Sequence, residues 1–239
     1  MFRLDLDRGI ARLTLDRPEA RNAIPLSGWE DLRTRLDEAA DADSRLLVIA
    51  GAGGAFCAGA DLGDFPLLQR DEAARVRFRE AMRGAFDRLA EVPMPTIARI
   101  EGACYGAGVA LALACDLRIA GPHASFAITP AKLGISYPLE DVHRLVDRVG
   151  AAQAARLLFS ARSIDAAEAA RIGLVEEVGD LEGIVAAIAA NEPASLAALK
   201  QALRLAAAGT RSDGGQDRAF DALFGGEALA RRLEALRRK

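Results

Sequence analysis

The sequence has few cysteines, histidines, lysines and aromatic residues, and each scarcity excludes a class of protein. Its three cysteines lack a C-x-x-C spacing, which argues against both a disulfide framework and a zinc ribbon. The two histidines belong to no metal-ligand cluster and to no Ser-His-Asp set, so neither a metal site nor a serine hydrolase is expected. Of the 31 basic residues three are lysine and the remaining 28 arginine, and aromatic residues make up only 5% of the chain.

Net charge and hydrophobic runs are equally modest. A formal charge of −3 gives no general attraction to nucleic acid or to anionic lipid. No run approaches the length of a membrane span, and the first residues lack the apolar core of a signal peptide. We therefore expect a cytoplasmic protein without nucleic-acid or membrane partners.

Strand-like and helix-like segments alternate along the first half of the chain, which predicts an α/β fold. The expected strands are 2–7, 10–15, 46–50, 96–100 and 115–120, and the expected helices are 26–40, 71–91 and 107–114. The first two strands read as a hairpin around Arg8 and Gly9. After Glu140 the pattern is almost entirely helical, apart from Leu174 to Val178.

Two glycine-rich loops each follow one of these strands. The first is Ala55-Phe-Cys-Ala-Gly-Ala-Asp-Leu62 and the second is Gly102-Ala-Cys-Tyr-Gly-Ala-Gly108. Small residues let backbone N–H groups approach a ligand, and two donors aimed at one thioester oxygen would form an oxyanion hole. A dinucleotide-binding loop is rejected, because the third glycine of its G-x-G-x-x-G pattern would fall on Phe56.

Both loops, together with Asp16-Arg-Pro-Glu-Ala-Arg-Asn-Ala23 and Ala170-Arg-Ile-Gly-Leu-Val175, resemble the enoyl-CoA hydratase/isomerase (crotonase) superfamily over nearly the whole chain. The resemblance implies a spiral of ββα repeats over residues 1–180 and a helical region over 181–239 that packs subunits into a homotrimer or hexamer. It also implies an acyl-CoA thioester as substrate, with coenzyme A carried as part of that substrate and no separate cofactor.

The resemblance places the two oxyanion donors on the backbone N–H groups of Ala60 and Ala107. Ala107 would lie in the first turn of a helix, where N–H groups are unpaired and the dipole favours negative charge. Arg21 corresponds to a basic residue near the coenzyme A phosphates, and Ala58 to part of the adenine pocket. A solvated surface arginine is the alternative reading of Arg21.

The two glutamates of the family's hydratases correspond to Ala110 and Pro130. Neither residue exchanges a proton, so hydration by the two-glutamate mechanism is not expected. The segment 126–143 resembles the matching stretch of methylmalonyl-CoA decarboxylases, which have a threonine-proline pair and a tyrosine there. We therefore favour decarboxylation, with Tyr137 orienting the departing carboxylate or protonating the enolate; packing of Tyr137 against the wall is the alternative.

Glu140 and Asp141 offer a competing chemistry. Some isomerases of the superfamily place a single acid in this loop, so Glu140, preferred here over Asp141, could shuttle a proton between carbons or serve an atypical hydratase. Both acids could instead merely complement the dipole of an amphipathic helix. The apolar face of that helix is marked by Leu139, Val142, Val146 and Val149. A non-catalytic acyl-CoA-binding protein is the alternative from another class.

Overall fold

A computed structural model describes residues 1–238 of the chain. The strands of this part are β1 (Phe2–Asp7), β2 (Ile10–Leu15), β3 (Leu46–Gly51), β4 (Thr96–Ile100), β5 (Ala103–Tyr105), β6 (Leu117–Ala120), β7 (Ser125–Ala127), β8 (Ile164–Asp165) and β9 (Glu177–Val178). The helices are α1 (Gly28–Asp41), α2 (Phe65–Arg70), α3 (Glu72–Glu91), α4 (Ala107–Ala114), α5 (Leu139–Ser160), α6 (Ala166–Arg171), α7 (Leu181–Ala189), α8 (Pro193–Ala207), α9 (Gly214–Phe224) and α10 (Glu227–Arg237). The predicted α/β class is confirmed.

The larger sheet has the strand order β1-β2-β3-β4-β6-β9. Its first pair is the antiparallel hairpin that the sequence predicts, and every later pair is parallel. Arg8 and Gly9, at φ of 50° and 78°, supply the two positive φ values that a tight hairpin turn of type I′ requires. Parallel pairing directs the carboxyl ends of β3 and β4 to one edge, where the two glycine-rich loops begin.

A second, three-stranded sheet has the order β5-β7-β8. Its strands are two or three residues long, and the sequence analysis recognised none of them. The expectation that Leu174 to Val178 would be the only strand after Glu140 is wrong, because β8 also lies there and β9 covers only Glu177–Val178. Segments this short carry too little periodicity to reveal a strand.

Local signals explain the boundaries of the helices around the core. Asp71 caps α3 by accepting a hydrogen bond from the Ala74 N–H at 3.0 Å, and Val92 follows the last helical residue just before Pro93. Trp29 of α1 is fully buried and meets the ring of Phe86 edge to face at 5.5 Å. Helices α1 and α3 therefore cover one face of the sheet beside the glycine-rich loops.

Helix α5 keeps most of the face that its apolar residues predict, since Val146 and Val149 pack against the core, but Leu139 does not belong to it. Leu139 is 77% exposed, whereas Asp141 and Leu145 are buried. Including Leu139 in the buried face was therefore wrong. Tertiary contacts to Asp141, described below, outweigh the helical periodicity.

The carboxyl-terminal helices attach to the sheet through two contacts. From α7, Leu181 and Val185 pack on the face of the larger sheet that carries Leu46 and Val48. The buried Lys200 of α8 donates to the Met94 carbonyl at 3.0 Å and to the Asp116 carboxylate at 2.9 Å. The division at residue 180 stays a prediction. Among the described residues, no helix combines the length and apolar character that crossing a bilayer requires.

Candidate active site

The two glycine-rich loops lie side by side because their backbones are paired. The Cys57 N–H donates to the Ala103 carbonyl at 3.0 Å, and the Tyr105 N–H donates to the Cys57 carbonyl at 2.8 Å. A Cβ atom at Gly108 would overlap the Cys57 carbonyl oxygen, so the first turn of α4 approaches the first loop as closely as only glycine allows.

The N–H groups of Ala60 and Ala107 are brought together by this pairing. Within residues 1–238 neither group has a hydrogen-bond acceptor, and both residues are only half-buried. A Cβ atom built on Gly59 would lie 3.2 Å from the Ala107 nitrogen, which shows how near the two loops are at this point. Ala107 also begins α4, so the dipole of that helix favours negative charge here. The arrangement can stabilise a developing oxyanion.

Arg21 and Ala58, the predicted contacts to coenzyme A, are joined through their backbones. The Ala58 N–H donates to the Arg21 carbonyl at 2.9 Å. The Arg21 side chain is exposed and, within residues 1–238, has no carboxylate partner. A guanidinium so placed is free to meet a phosphate, and its role stays a prediction.

Tyr137 lies against the first turn of α4. Its hydroxyl donates to the Gly106 carbonyl at 2.9 Å, and the same carbonyl accepts from the Ala110 N–H at 3.3 Å. Burial raises the pKa of the phenol well above its ordinary value, and the Asp141 carboxylate raises it further. The hydroxyl therefore stays protonated at neutral pH, and the carbonyl that it bonds also accepts from Ala110, which the resemblance predicts to stand at the position of the first hydratase glutamate.

Glu140 and Asp141 face in different directions. The Glu140 side chain is 39% exposed and pairs with Arg83 of α3. The Asp141 side chain is only 3% exposed; it accepts from Arg144 at 3.0 Å, and Arg144 also bonds Asp87 of α3 at 2.7 Å. Burial raises the pKa of Asp141 to about 6, against the opposing effect of Arg144. Glu140 is the acid that the sequence favours, but the buried acid near Tyr137 is Asp141.

A small cavity lies between α3 and α5 and reaches Asp141. Its volume of about 10 Å³ has room for one water molecule. It is lined by Arg79, Met82, Arg83, Pro138, Glu140, Asp141 and Arg144. A proton could thus reach Asp141 through a single water, whereas an acyl group could not enter by this route.

The sequence analysis assigned no role to Asn22, which is fully buried at a φ of 58°. Its side-chain amide donates to the carbonyls of Ala52 and Ala55 at 2.9 and 2.8 Å, and its side-chain oxygen accepts from the Arg17 N–H at 2.9 Å. The only available signal was the match of residues 16–23 to a family signature. Asn22 thereby holds residues 52–55, which connect β3 to the glycine-rich loop that carries Ala60.

The mixed α/β fold with its two paired glycine-rich loops, and two peptide donors there that have no acceptor within residues 1–238, is typical of the crotonase superfamily. The family model for enoyl-CoA hydratase/isomerase matches residues 5–222. The chain belongs to this family, whose members act on acyl-CoA thioesters.

Relatives and solved structures agree with this assignment. The chain is 34% identical over 212 residues to a protein of Rhodobacter capsulatus named probable enoyl-CoA hydratase, covering 84% of this chain and 80% of that one. A protein of Mycobacterium bovis named probable enoyl-CoA hydratase echA6 is 32% identical over 197 residues, covering 81% of this chain and 78% of that one. The crystal structure of an enoyl-CoA hydratase/isomerase family protein from Hyphomonas neptunium superposes with a TM-score of 0.91 at 35% identity, covering 98% of this chain and 94% of that one.

Proposed function

We propose that the chain binds an acyl-CoA thioester with its carbonyl oxygen between the N–H groups of Ala60 and Ala107, and that it catalyses decarboxylation of the acyl group. The observation that carries the proposal is the pair of peptide donors without an acceptor within residues 1–238, together with the lack of a carboxylate at positions 110 and 130; the Tyr137 hydroxyl bonds the carbonyl of Gly106, the residue before Ala107. Decarboxylation suits such a site, because the reaction needs stabilisation of an enolate and no general base.

The proposed step balances within the substrate and one proton donor. The bond between the α-carbon and its carboxylate breaks, and its electron pair forms the enolate double bond as CO₂ leaves. Negative charge collects on the thioester oxygen, between the two peptide donors. The α-carbon then takes a proton from the Tyr137 hydroxyl or from water, and a phenolate so formed recovers its proton from solvent.

The state of Tyr137 supports this chemistry over hydration. Because the pKa of the phenol is raised well above its ordinary value, the hydroxyl stays protonated at neutral pH and does not serve as the base that hydration requires. Glu140 is 39% exposed and paired with Arg83 of α3, so its side chain is not buried beside Tyr137.

The test is turnover of methylmalonyl-CoA, followed by mass spectrometry and release of CO₂. We expect Tyr137→Phe to lower the rate by about 10²-fold, the lower limit for loss of a positioned proton donor. Tyr105→Phe is the matched control, since this second tyrosine bonds the Ser125 hydroxyl at 3.3 Å. Equal rates for both variants and the wild type would refute the role of Tyr137, and absence of CO₂ release would refute the reaction.

Double-bond isomerisation is the second candidate, and the burial of Asp141 favours it. A carboxyl with a pKa of about 6 can accept and return a proton near neutral pH, and Asp141 lies in the first turn of α5, four residues after Tyr137. In this version Asp141 replaces Glu140 as the acid. Turnover of a 3-enoyl-CoA that Asp141→Asn abolishes and Glu140→Gln preserves would establish it. The reverse pattern would restore Glu140.

Crotonyl-CoA completes the panel as the substrate for hydration. Its efficient hydration would show that an acid or base outside positions 110 and 130 serves the site. Binding of all three thioesters without turnover would instead identify a non-catalytic acyl-CoA-binding protein.

We also propose that the protein works in a reducing cytoplasm, since its three cysteines are free and buried. We further propose that the chain forms a homotrimer or hexamer. The last three helices expose large apolar side chains, at Leu199, Leu203, Phe220, Phe224, Leu233 and Leu236. Light scattering of the purified protein tests the assembly, and a monomer would refute it.

A further inference from the structure

The thiol of Cys57 bonds the loop that carries Ala60 at two points. Its Sγ donates to the Asn22 carbonyl oxygen at 3.2 Å and accepts from the Gly59 N–H at 3.4 Å. Cys57 is fully buried, so water does not compete for these bonds. The thiol thus connects the segment that ends at Asn22 with the peptide unit just before Gly59.

The Ala60 donor is oriented by what holds the peptide between Gly59 and Ala60. The carbonyl of Gly59 accepts from the Ile24 N–H at 2.8 Å, which fixes that peptide plane from one side. In a trans peptide the N–H points opposite to the carbonyl, so the Ala60 N–H is directed away from Ile24. Gly59 has a φ of 103°, where few residues other than glycine are stable, so the loop needs support from outside its own backbone.

We propose that Cys57 is a positioning residue, whose thiol holds the Gly59 N–H and thereby sets the direction of the Ala60 donor. The inference rests on the proposed oxyanion hole. The acceptor of the thiol is itself rigid, because the Asn22 side chain makes three hydrogen bonds to the loop and to Arg17.

The state of the thiol agrees with this role. Burial raises the pKa of Cys57 to about 12, so the group stays protonated and keeps the hydrogen that it donates to Asn22. A protonated, fully buried thiol is a poor nucleophile and is shielded from oxidants, which excludes a redox or covalent role for Cys57.

The experiment measures polarisation of a bound thioester carbonyl, which needs no turnover. Crotonyl-CoA labelled with ¹³C at its carbonyl is the probe, and the readout is the carbonyl stretching frequency in infrared difference spectra. Binding to the wild type should lower this frequency. Cys57→Ala should lose more than half of that shift, because even a small misplacement of a donor weakens its effect strongly.

Two further variants distinguish the effect of the Cys57 hydrogen bonds from effects on folding and on side-chain volume. Cys57→Ser keeps a donor and an acceptor, should retain most of the shift, and keeps the proposal testable if Cys57→Ala does not fold. Cys115→Ala is the control, since this buried thiol donates only to the Leu111 carbonyl within α4, at 3.7 Å. Its shift should equal that of the wild type.

The outcomes distinguish the two proposals. No frequency shift in the wild type would refute the oxyanion hole itself, and the positioning role with it. A wild-type shift that Cys57→Ala leaves unchanged would overturn the positioning role alone. A serine variant no better than the alanine variant would also overturn it, because side-chain volume and not hydrogen bonding would then be responsible.

Discussion

Replacing Gly108 by alanine tests the close approach of the two glycine-rich loops. A Cβ atom there would overlap the Cys57 carbonyl oxygen and would lie 3.0 Å from the Cys57 Cβ. Neither neighbour is the flexible end of a side chain, so the backbone must move to accept the methyl group. The movement separates the first turn of α4, which carries Ala107, from the loop that carries Ala60.

The magnitude follows from two opposing effects. Overpacking costs about 1–3 kcal/mol, and an overlap with a backbone oxygen belongs to the upper part of that range, about 2–3 kcal/mol; replacing glycine in a helix returns about 1 kcal/mol. The net loss of about 1–2 kcal/mol should lower the Tm by about 2–8 °C for a chain of this length. Gly84→Ala in α3 is the matched control, because within residues 1–238 its added methyl group would meet no atom within 4 Å outside the neighbouring turns of its own helix. That variant should gain about 0.5–1 kcal/mol.

Thermal unfolding followed by circular dichroism measures both variants, and the infrared shift of bound ¹³C-crotonyl-CoA measures the site. Gly108→Ala should lower the Tm and reduce the carbonyl shift, while Gly84→Ala should raise the Tm and leave the shift unchanged. A Gly108→Ala protein with wild-type Tm and wild-type carbonyl shift would refute the reasoning, since the loops could then not be in contact.

Two further predictions concern stability. Lys200→Met removes the buried bonds to Asp116 and to the Met94 carbonyl and should cost about 1–3 kcal/mol, seen as a lower urea midpoint at unchanged slope. The pKa of Asp141 is about 6 in the folded protein, and its ordinary value of 3.8 applies to the unfolded chain. Between pH 3.8 and about pH 6, Asp141 is therefore protonated in the folded state and ionised in the unfolded state. The free energy of unfolding attributable to Asp141 therefore falls as the pH rises through this range; Asp141→Asn should flatten that part of the pH profile, and an unchanged profile would contradict the assignment.

The sequence was sufficient wherever a local signal decided the structure. The hairpin at Arg8 and Gly9, the strand 96–100 and the helix 107–114 are all present as predicted. Strands β5, β7 and β8 were not predicted, because each forms its hydrogen bonds with a segment that is distant in sequence and is too short to show a period of two.

In the candidate site, too, local features could be predicted from the sequence, whereas features set by tertiary contacts could not. The glycine-rich loops were recognisable from their small residues, and their pairing through Cys57 follows from the parallel strands before them. The burial of Asp141 could not be read from α5, because Arg144 and the α3 residue Asp87 determine it. The roles of Ala60, Ala107, Tyr137 and Glu140 stay predictions for the experiments above.

Main-chain donors in the candidate site have a consequence for how such a protein can diverge. A peptide N–H is encoded by every residue except proline, so few substitutions at position 60 or 107 can delete the donor atom itself. A catalytic side chain, in contrast, is lost by a single substitution, and the residues at positions 110 and 130 have no ionisable group. Reaction chemistry can therefore be exchanged or lost over generations while the scaffold that polarises a thioester persists.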